Sequence, residues 1–521
     1  MNEDMGKHGI VHSVREQFKT VKHKADVCVV GAGLAGMCAA IAAARRGCSV
    51  VLVHDRPMPG GNCSSEIRMW PLGADGSNPA NLRETGIFEE LLLENMYRNP
   101  TRSFAIWDSV LYGAVRYQSG LKLILNCSVN AARTHDARIV SVSGWQLTTY
   151  FNHEIEANIF IDCSGDSVLA TLSGAKFRRG REAAGEFGES IEPETADSMT
   201  MGNTCLIQAR ETAQDIRYTP ARWAEKIDKS QLEGRGFKPS GLDGNYWWME
   251  LGGERDTISD SEEIRDELIA LSYGVWDYVK NSGDGDASRW ELDWAGYLPG
   301  KRESRRLLGD YVLNEADCAG GRRFADAVAY GGWPMDVHTV EGFLNDSDDP
   351  TVWLRLEDVY TIPYRCYYSR NIPNLFLCGR IISASHMAFA SARVMATCAV
   401  GGQAVEPLRT VTDPHVRERG PDEADRVEVR IAFQDAVDLV LVDRPLQVRK
   451  QRSRQPAGQR RILVANDPFQ IDLQAIFFGH IEDGLYGKGS NSRVFPCICP
   501  KSSYIWAVSP LVRLWKPIMY R

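Results

Sequence analysis

The chain has 521 residues, long enough for two or three domains, and its 44% hydrophobic and 25% charged residues are ordinary for a globular protein. Sixty Lys and Arg against 68 Asp and Glu leave a formal charge of −8, which argues against nucleic acid or an anionic membrane as the main partner. No apolar run is long enough to predict a membrane span, and the first 24 residues lack the apolar centre of a secretory signal, so a cytoplasmic location is expected.

In chain order, Val27–Val30 reads as a buried strand, Met37–Arg46 as an alanine-rich helix stopped by Gly47, and Val50–Val53 as a second buried strand. Apolar positions at Ile87, Leu91 and Met96 predict a helix within 84–98. Residues 121–161 alternate like strands and predict a small antiparallel layer that rejoins a parallel sheet at Ile159–Cys163. Residues 175–290 are charged and rich in tryptophan (Trp247, Trp248, Trp276, Trp290), as expected of an inserted domain. The first style returns with strand Leu375–Cys378, a loop, and an apolar helix near Ala392–Ala404.

The expected fold class is α/β: a Rossmann-like βαβ domain with a parallel sheet and a small antiparallel layer, plus an inserted α+β substrate domain. The expected organisation is a polar extension (1–24), a first nucleotide-binding part (25–174), a substrate or cap region (175–370), a last nucleotide-binding part (371–405) and a divergent tail (406–521). Pro407 ends the last helix. The arginine-dense tail reads either as an out-of-frame segment or as a genuine extension, such as an interaction arm. It is expected to pack loosely, with proteases cutting first at 406–425 or 449–461. The thirteen cysteines include Cys28, Cys38 and Cys163 inside core segments, and read as buried thiols. Neither Cys48/Cys63 nor Cys497/Cys499 has zinc spacing, so no metal site is expected.

Between the first strand and helix lies Gly31-Ala32-Gly33-Leu34-Ala35-Gly36. In this context GxGxxG is a dinucleotide fingerprint: Gly31 for the tight turn, Gly33 for close approach of a pyrophosphate, Gly36 for helix–strand packing. The slot usually held by a ribose-binding acid carries His54, with Asp55 next. Either Asp55 takes the ribose or His54 donates to ribose or adenine. A second glycine pair, Gly60-Gly61, has no purpose in a nicotinamide fold.

That pair opens "GGNCSSEIR", and with "IDCSGDSVLA", "GKRESRRLLGDYVL", "GGWPMDVH", "YTIPYRCYYS" and "NLFLCGRIISASHMAFASARVMATCAVGGQAV" it carries a resemblance. Over about residues 25–405 the chain resembles the FAD-dependent oxidoreductase family marked by a GGN-x-SSE segment, with a glutathione-reductase-like fold. The resemblance implies FAD as cofactor. It implies that Gly60, Gly61, Asn62, Ser64 and Ser65 wrap the ribityl and flavin end, that Gly165 and Asp166 make a second contact, and that Gly379 and Arg380 precede a helix facing the flavin pyrimidine. Glu66 then binds a ribityl hydroxyl or anchors Arg68, and Cys63 reads either as a small buried residue or as a covalent flavin link.

The groups able to move a proton near neutral pH are chiefly histidines. Of ten, His338 in "WPMDVH" and His386 in "SASHMAF" fall in segments that the resemblance puts near the flavin and substrate. Arg305, in "KRESRRLLGD" beside Arg302 and Arg306, is the candidate for holding an anionic or polyhydroxyl substrate, against a salt-bridged face as the alternative. Tyr364 and Arg365 carry the same two readings. The tryptophans either stack on sugar rings or form the core of the insert. The expected activity is hydride transfer between FAD and a small polar substrate, such as a hydroxyl-bearing carbohydrate-like molecule. A nicotinamide dehydrogenase, or a binding protein that keeps the fold without redox turnover, are the alternatives. No motif specifies an electron acceptor or an oligomeric state.

Overall fold

The computed structural model describes residues 18–74, 82–228, 230–232, 248–282, 287–345 and 349–405. The tail, the first 17 residues and Trp247 lie outside that range, and with them the expectations placed there.

The first and last parts of the described chain share one seven-stranded sheet. Strand β1 (Thr20–Val30) leads through the glycine turn into helix α1 (Leu34–Arg45) and strand β2 (Val50–Val53). Helices α2 (Ile87–Arg98) and α3 (Phe104–Arg116) precede strands β3 (Leu121–Ile124), β4 (Cys127–His135), β5 (Arg138–Gln146) and β6 (Phe151–Asp162). The order is β3-β2-β1-β6-β5-β4. Strands β3, β2, β1 and β6 run parallel, and β2 is buried along its whole length, as strands covered on both faces must be. Strand β6 belongs to both expected layers. Its first half pairs antiparallel with β5, and its last residues pair parallel with β7 (Leu375–Leu377). Strand β1 starts at Thr20, earlier than its apolar run, because its alternating first half follows β6 from Asn152 onward.

The region between is a set of short antiparallel pairs. Asn203–Thr204 lies between Glu250–Leu251 and Gly300–Lys301, Ile207–Glu211 pairs with Trp290–Ala295, and Phe177–Arg179 with Arg305–Leu307. Helix α4 (Ser261–Asp277) covers a separate core of Cys205, Ile207, Leu251, Leu268, Trp276 and Trp290. Trp276 and Trp290 therefore serve packing rather than ligand stacking.

After β7 the chain forms two helices where one was expected. Helix α5 (His386–Ala392) begins inside the expected loop, and helix α6 (Met395–Val405) follows a break at Arg393–Val394. The reason for the first start is local: the Ser385 hydroxyl accepts the Ala388 N–H and caps it. Helix α6 lies directly on α1, because both carry small residues. A Cβ on Gly402 would sit 2.1 Å from the Ala35 carbonyl oxygen. All eleven described cysteines are buried free thiols. No helix among the described residues is long and apolar enough to cross a membrane.

Gly402→Ala is expected to force α6 off α1 and lower stability by about 1–3 kcal/mol, measured by thermal unfolding of the protein with its ligands removed. An unchanged melting temperature would mean that the close helix contact is not required.

Candidate functional site

The first glycine turn is built for a ligand at one face only. Gly31 (φ +102°) holds a left-handed conformation, and a Cβ there would lie 2.2 Å from the Cys163 carbonyl oxygen. Gly36 would clash with the Gly31 carbonyl oxygen at 1.9 Å. Among the described residues a Cβ on Gly33 meets nothing within 4 Å. Gly33 starts α1, whose N-terminus has no side-chain cap and no acidic residue in its first turn. Free N–H groups and a positive dipole end thus face open space, which fits an anionic pyrophosphate.

The second glycine pair closes on the first. The Gly60 N–H donates to the Ala32 carbonyl at 2.7 Å, and a Cβ on Gly61 would come within 3.1 Å of the Gly33 Cα. His54 completes this junction rather than reaching out. Its Nδ1 accepts the Ala32 N–H at 3.1 Å and its Nε2 donates to the Met58 carbonyl at 3.1 Å. Both ring nitrogens are used by backbone, so the neutral ring pins the two turns together. Burial pushes its pKa down to about 4, against the opposing pull of Asp55. Asp55 is exposed at the end of β2.

In the same loop, the Cys63 thiol is buried, donates to the Gly60 carbonyl and is pushed up to about 12 by that burial, which suits packing and not covalent attachment. The Ser64 hydroxyl donates to the Gly61 carbonyl and the Ser65 N–H to Asp108. Arg68 donates to Gln208 at 2.6 Å and lies 4.3 Å above the Trp294 ring, so it ties the loop to the insert.

The other two predicted segments meet at Asp166. The buried Asp162 carboxylate accepts from the Ser164 N–H, the Ser164 hydroxyl and the Leu169 N–H, and so shapes the Ser164-Gly165-Asp166 turn. Gly165 leaves room for the Arg380 guanidinium, which a Cβ would meet at 2.9 Å. Asp166 then pairs with Arg380 (3.0 Å) and Lys301 (2.8 Å) and accepts from Ser304. Burial would raise its pKa, but Arg380 and Lys301 outweigh it and keep the carboxylate charged. Asn62 donates to the Lys301 carbonyl at 3.1 Å. Lys301, which no motif singles out, thus joins all three segments. Gly379 (φ +84°) turns the chain from β7 toward Arg380.

The two candidate histidines differ in what is left free. His338 is buried between carboxylates: Nδ1 lies 2.6 Å from Glu250 and Nε2 3.3 Å from Asp336. Arg302 and Arg393 complete that network. His386, the first residue of α5, has Nδ1 3.0 Å from the fully buried Glu303, while its N–H donates to Glu182 at 2.8 Å. Among the described residues its Nε2 bonds no protein group. Burial disfavours a charged His386, yet Glu303 and then Glu192 outweigh it and raise its pKa above the usual imidazole value.

Glu303 and Glu182 are held in turn by Arg306, which is itself buried and also donates to the Gly180 and Ala384 carbonyls. Arg305 lies on the other face: it donates to Thr171 at 2.8 Å and to the Asp166 carbonyl, over the Phe177 ring. Strand Arg305–Leu307 alternates, so only one of two neighbouring arginines can turn inward. Arg365 is ion-paired with Asp326 on a half-exposed face, and Tyr364 packs against Tyr368. The sequence signal for Arg306 and Glu303 was present as a charge-dense run, Lys301–Arg306, set between apolar stretches.

The family model for FAD dependent oxidoreductases matches residues 26–406. No curated protein matches the chain. Among solved structures, L-proline dehydrogenase from P. horikoshii is 18% identical over 28% of this chain and 24% of that one, with a TM-score of 0.19. Mycobacterium smegmatis Sdh1 in complex with UQ1 is 13% identical over 75% and 70% (TM-score 0.29), and E. coli quinol fumarate reductase FrdA is 14% identical over 78% and 73% (TM-score 0.29). The chain spans less than half the length of the proline dehydrogenase and of the myxobacterial halogenase CndH, at 24% and 46%. Likeness this weak says nothing of substrate.

Two outcomes follow from the turn geometry. Because the space before Gly33 is open, Gly33→Val is expected to keep the fold, read by thermal unfolding, while abolishing retention of FAD, read by absorbance. FAD retained by the folded variant would contradict the cradle. Because folded His54 titrates near 4 and an unfolded histidine near 6.5, stability from the neutral ring is complete above about 6.5 and falls as pH drops toward about 4, by roughly 3 kcal/mol. His54→Gln, which does not titrate, is expected to flatten that loss in denaturant titrations across this range.

Proposed function

The chain belongs to the FAD dependent oxidoreductase family, and from that premise we propose that it oxidises or reduces a small polar, hydroxyl-bearing molecule with His386 as the group that handles the proton. The observation that carries this is the division of labour at His386: one ring nitrogen is fixed by a buried carboxylate, and the other has no protein partner among the described residues. An oriented imidazole with one free nitrogen is what general acid–base work requires.

Gly31, Gly33, Gly36, Gly60, Gly61 and the Asp166–Lys301–Arg380 cluster would hold the cofactor, with Asp55 available for the ribose. FAD, when bound, supplies the acceptor or donor of the hydride. A carbinol losing a hydride from carbon must also lose the proton on oxygen, and His386 Nε2 takes it in that direction and returns it in reverse. Glu303 keeps the ring in one orientation, and Arg306 holds Glu303. The surroundings of His386 are charged (Glu182, Glu192, Glu303, Arg306), which favours a small polar substrate over an apolar one. His338, engaged on both nitrogens, fits a positioning part. Arg306 replaces Arg305 as the guanidinium that matters to the site. The nicotinamide alternative accounts for the first turn alone, and nothing in the site favours a binding protein without turnover.

The test is anaerobic rapid mixing with polyols and sugars, following the flavin band near about 450 nm. His386→Gln is expected to keep FAD but slow band bleaching about 10²-fold or more, and His338→Gln to slow it far less. Since His386 is held above the usual imidazole pKa, oxidation is expected to rise with pH through a value above 6.5, and Glu303→Gln, which removes the chief cause, to move that limb to lower pH. A His386→Gln protein that bleaches at the native rate would sink the assignment.

A further inference from the structure

Beside His386, one carboxylate oxygen each from Glu182, Glu189 and Glu192 lie within 4.8 Å of one another. Glu182 accepts from Arg306 and from the His386 N–H, and Arg178 stands 3.6 Å away. One oxygen of Glu189 accepts from the Ser385 hydroxyl and the Glu315 N–H. Arg181, nearest in sequence, is bound to Asp197. Glu303 is matched by Arg306 and His386. What remains is the second oxygen of Glu189 and both oxygens of Glu192: all three are shielded from solvent, and none meets a hydrogen-bond donor among the described residues.

Two ionised carboxylates cannot rest together in this way, since each would lose water and gain only repulsion. One proton resolves both problems, because a protonated carboxyl is itself a donor. We infer that Glu189 and Glu192 share a single proton at neutral pH, and that this proton sets the charge of His386. The inference rests on His386 as the proton-handling group for its kinetic part only. Burial, opposed by His386 and reinforced by Glu189 and Glu182, places the Glu192 carboxyl at about 7. When the shared proton leaves, the added negative charge holds His386 in its charged form, so the two sites titrate as a coupled pair. Glu192 is thereby a positioning residue: it acts on substrate through His386.

The experiment uses the FAD-loaded full chain and Glu192→Gln, a near-isosteric mimic of the protonated acid. Infrared spectra of the native protein should show the carbonyl stretch of a protonated carboxylic acid at neutral pH, lost in the variant. The folded carboxyl binds its proton more tightly than the unfolded one, so native stability should fall relative to Glu192→Gln as pH rises from about 4.5 to about 7. The variant should also move the acid limb of flavin reduction to lower pH as one simple ionisation. If Glu192→Gln does not fold, Glu189→Gln carries the same three measurements. An unchanged infrared band and stability profile would overturn the inference. So would a native protein whose stability rises with added manganese or calcium and falls with chelator, because a cation would then occupy the proton's place. His386→Gln should keep the infrared band, so failure of the catalytic assignment and failure of the proton pair are separable.

Discussion

A fully buried guanidinium is the constraint on which the site depends. Arg306 cannot be left without partners in the interior, because an unpaired buried charge costs several kcal/mol. Its donors reach Glu182, Glu303 and the carbonyls of Gly180 and Ala384. Those partners come from the loop after strand Phe177–Arg179, from its own charged run and from the approach to α5. One side chain therefore fixes three segments far apart in sequence, and two of its partners are the carboxylates that hold His386. Such a cluster is poor as a source of stability compared with an apolar core, but it defines a single arrangement.

The cofactor half depends on a different physics. There the work is done by missing side chains and by backbone polarity. Gly31 and Gly36 are required by contacts near 2 Å, whereas among the described residues nothing lies within 4 Å of a Cβ placed on Gly33. The two halves are joined at Asp166, where cations from the insert and from the last nucleotide-binding segment meet one carboxylate. That ion cluster ties the insert to the segment that follows β7.

The parts legible in the sequence were those specified by short-range pattern. A strand, a GxGxxG turn and a helix occupy contiguous residues, so their spacing alone exposes them, and the structure places them as read. The double character of β6 was also visible, as alternation giving way to an apolar run. That Arg306 and not Arg305 is the fully buried one is not visible in the sequence. It depends on which face of a three-residue strand meets a partner strand some 130 residues away in sequence. Likewise His54 occupies a slot that pattern assigns to the ligand, but its ring nitrogens found backbone groups nearer by. The split between α5 and α6 was hidden because the apolar composition runs through the break. Glu303 lies among arginines in the run Lys301–Arg306, and a charged run of that density must bring its own counter-ions if it is buried.

The central claim is that the free nitrogen of His386 carries the substrate proton. Chemical rescue tests it most directly: His386→Ala loaded with FAD, given a reducing substrate, and supplied with imidazoles of graded pKa. The account predicts that flavin reduction, slow in the variant, recovers saturably and follows the basicity of the added imidazole. A variant that retains FAD and is either fully active without imidazole or indifferent to its basicity would contradict it.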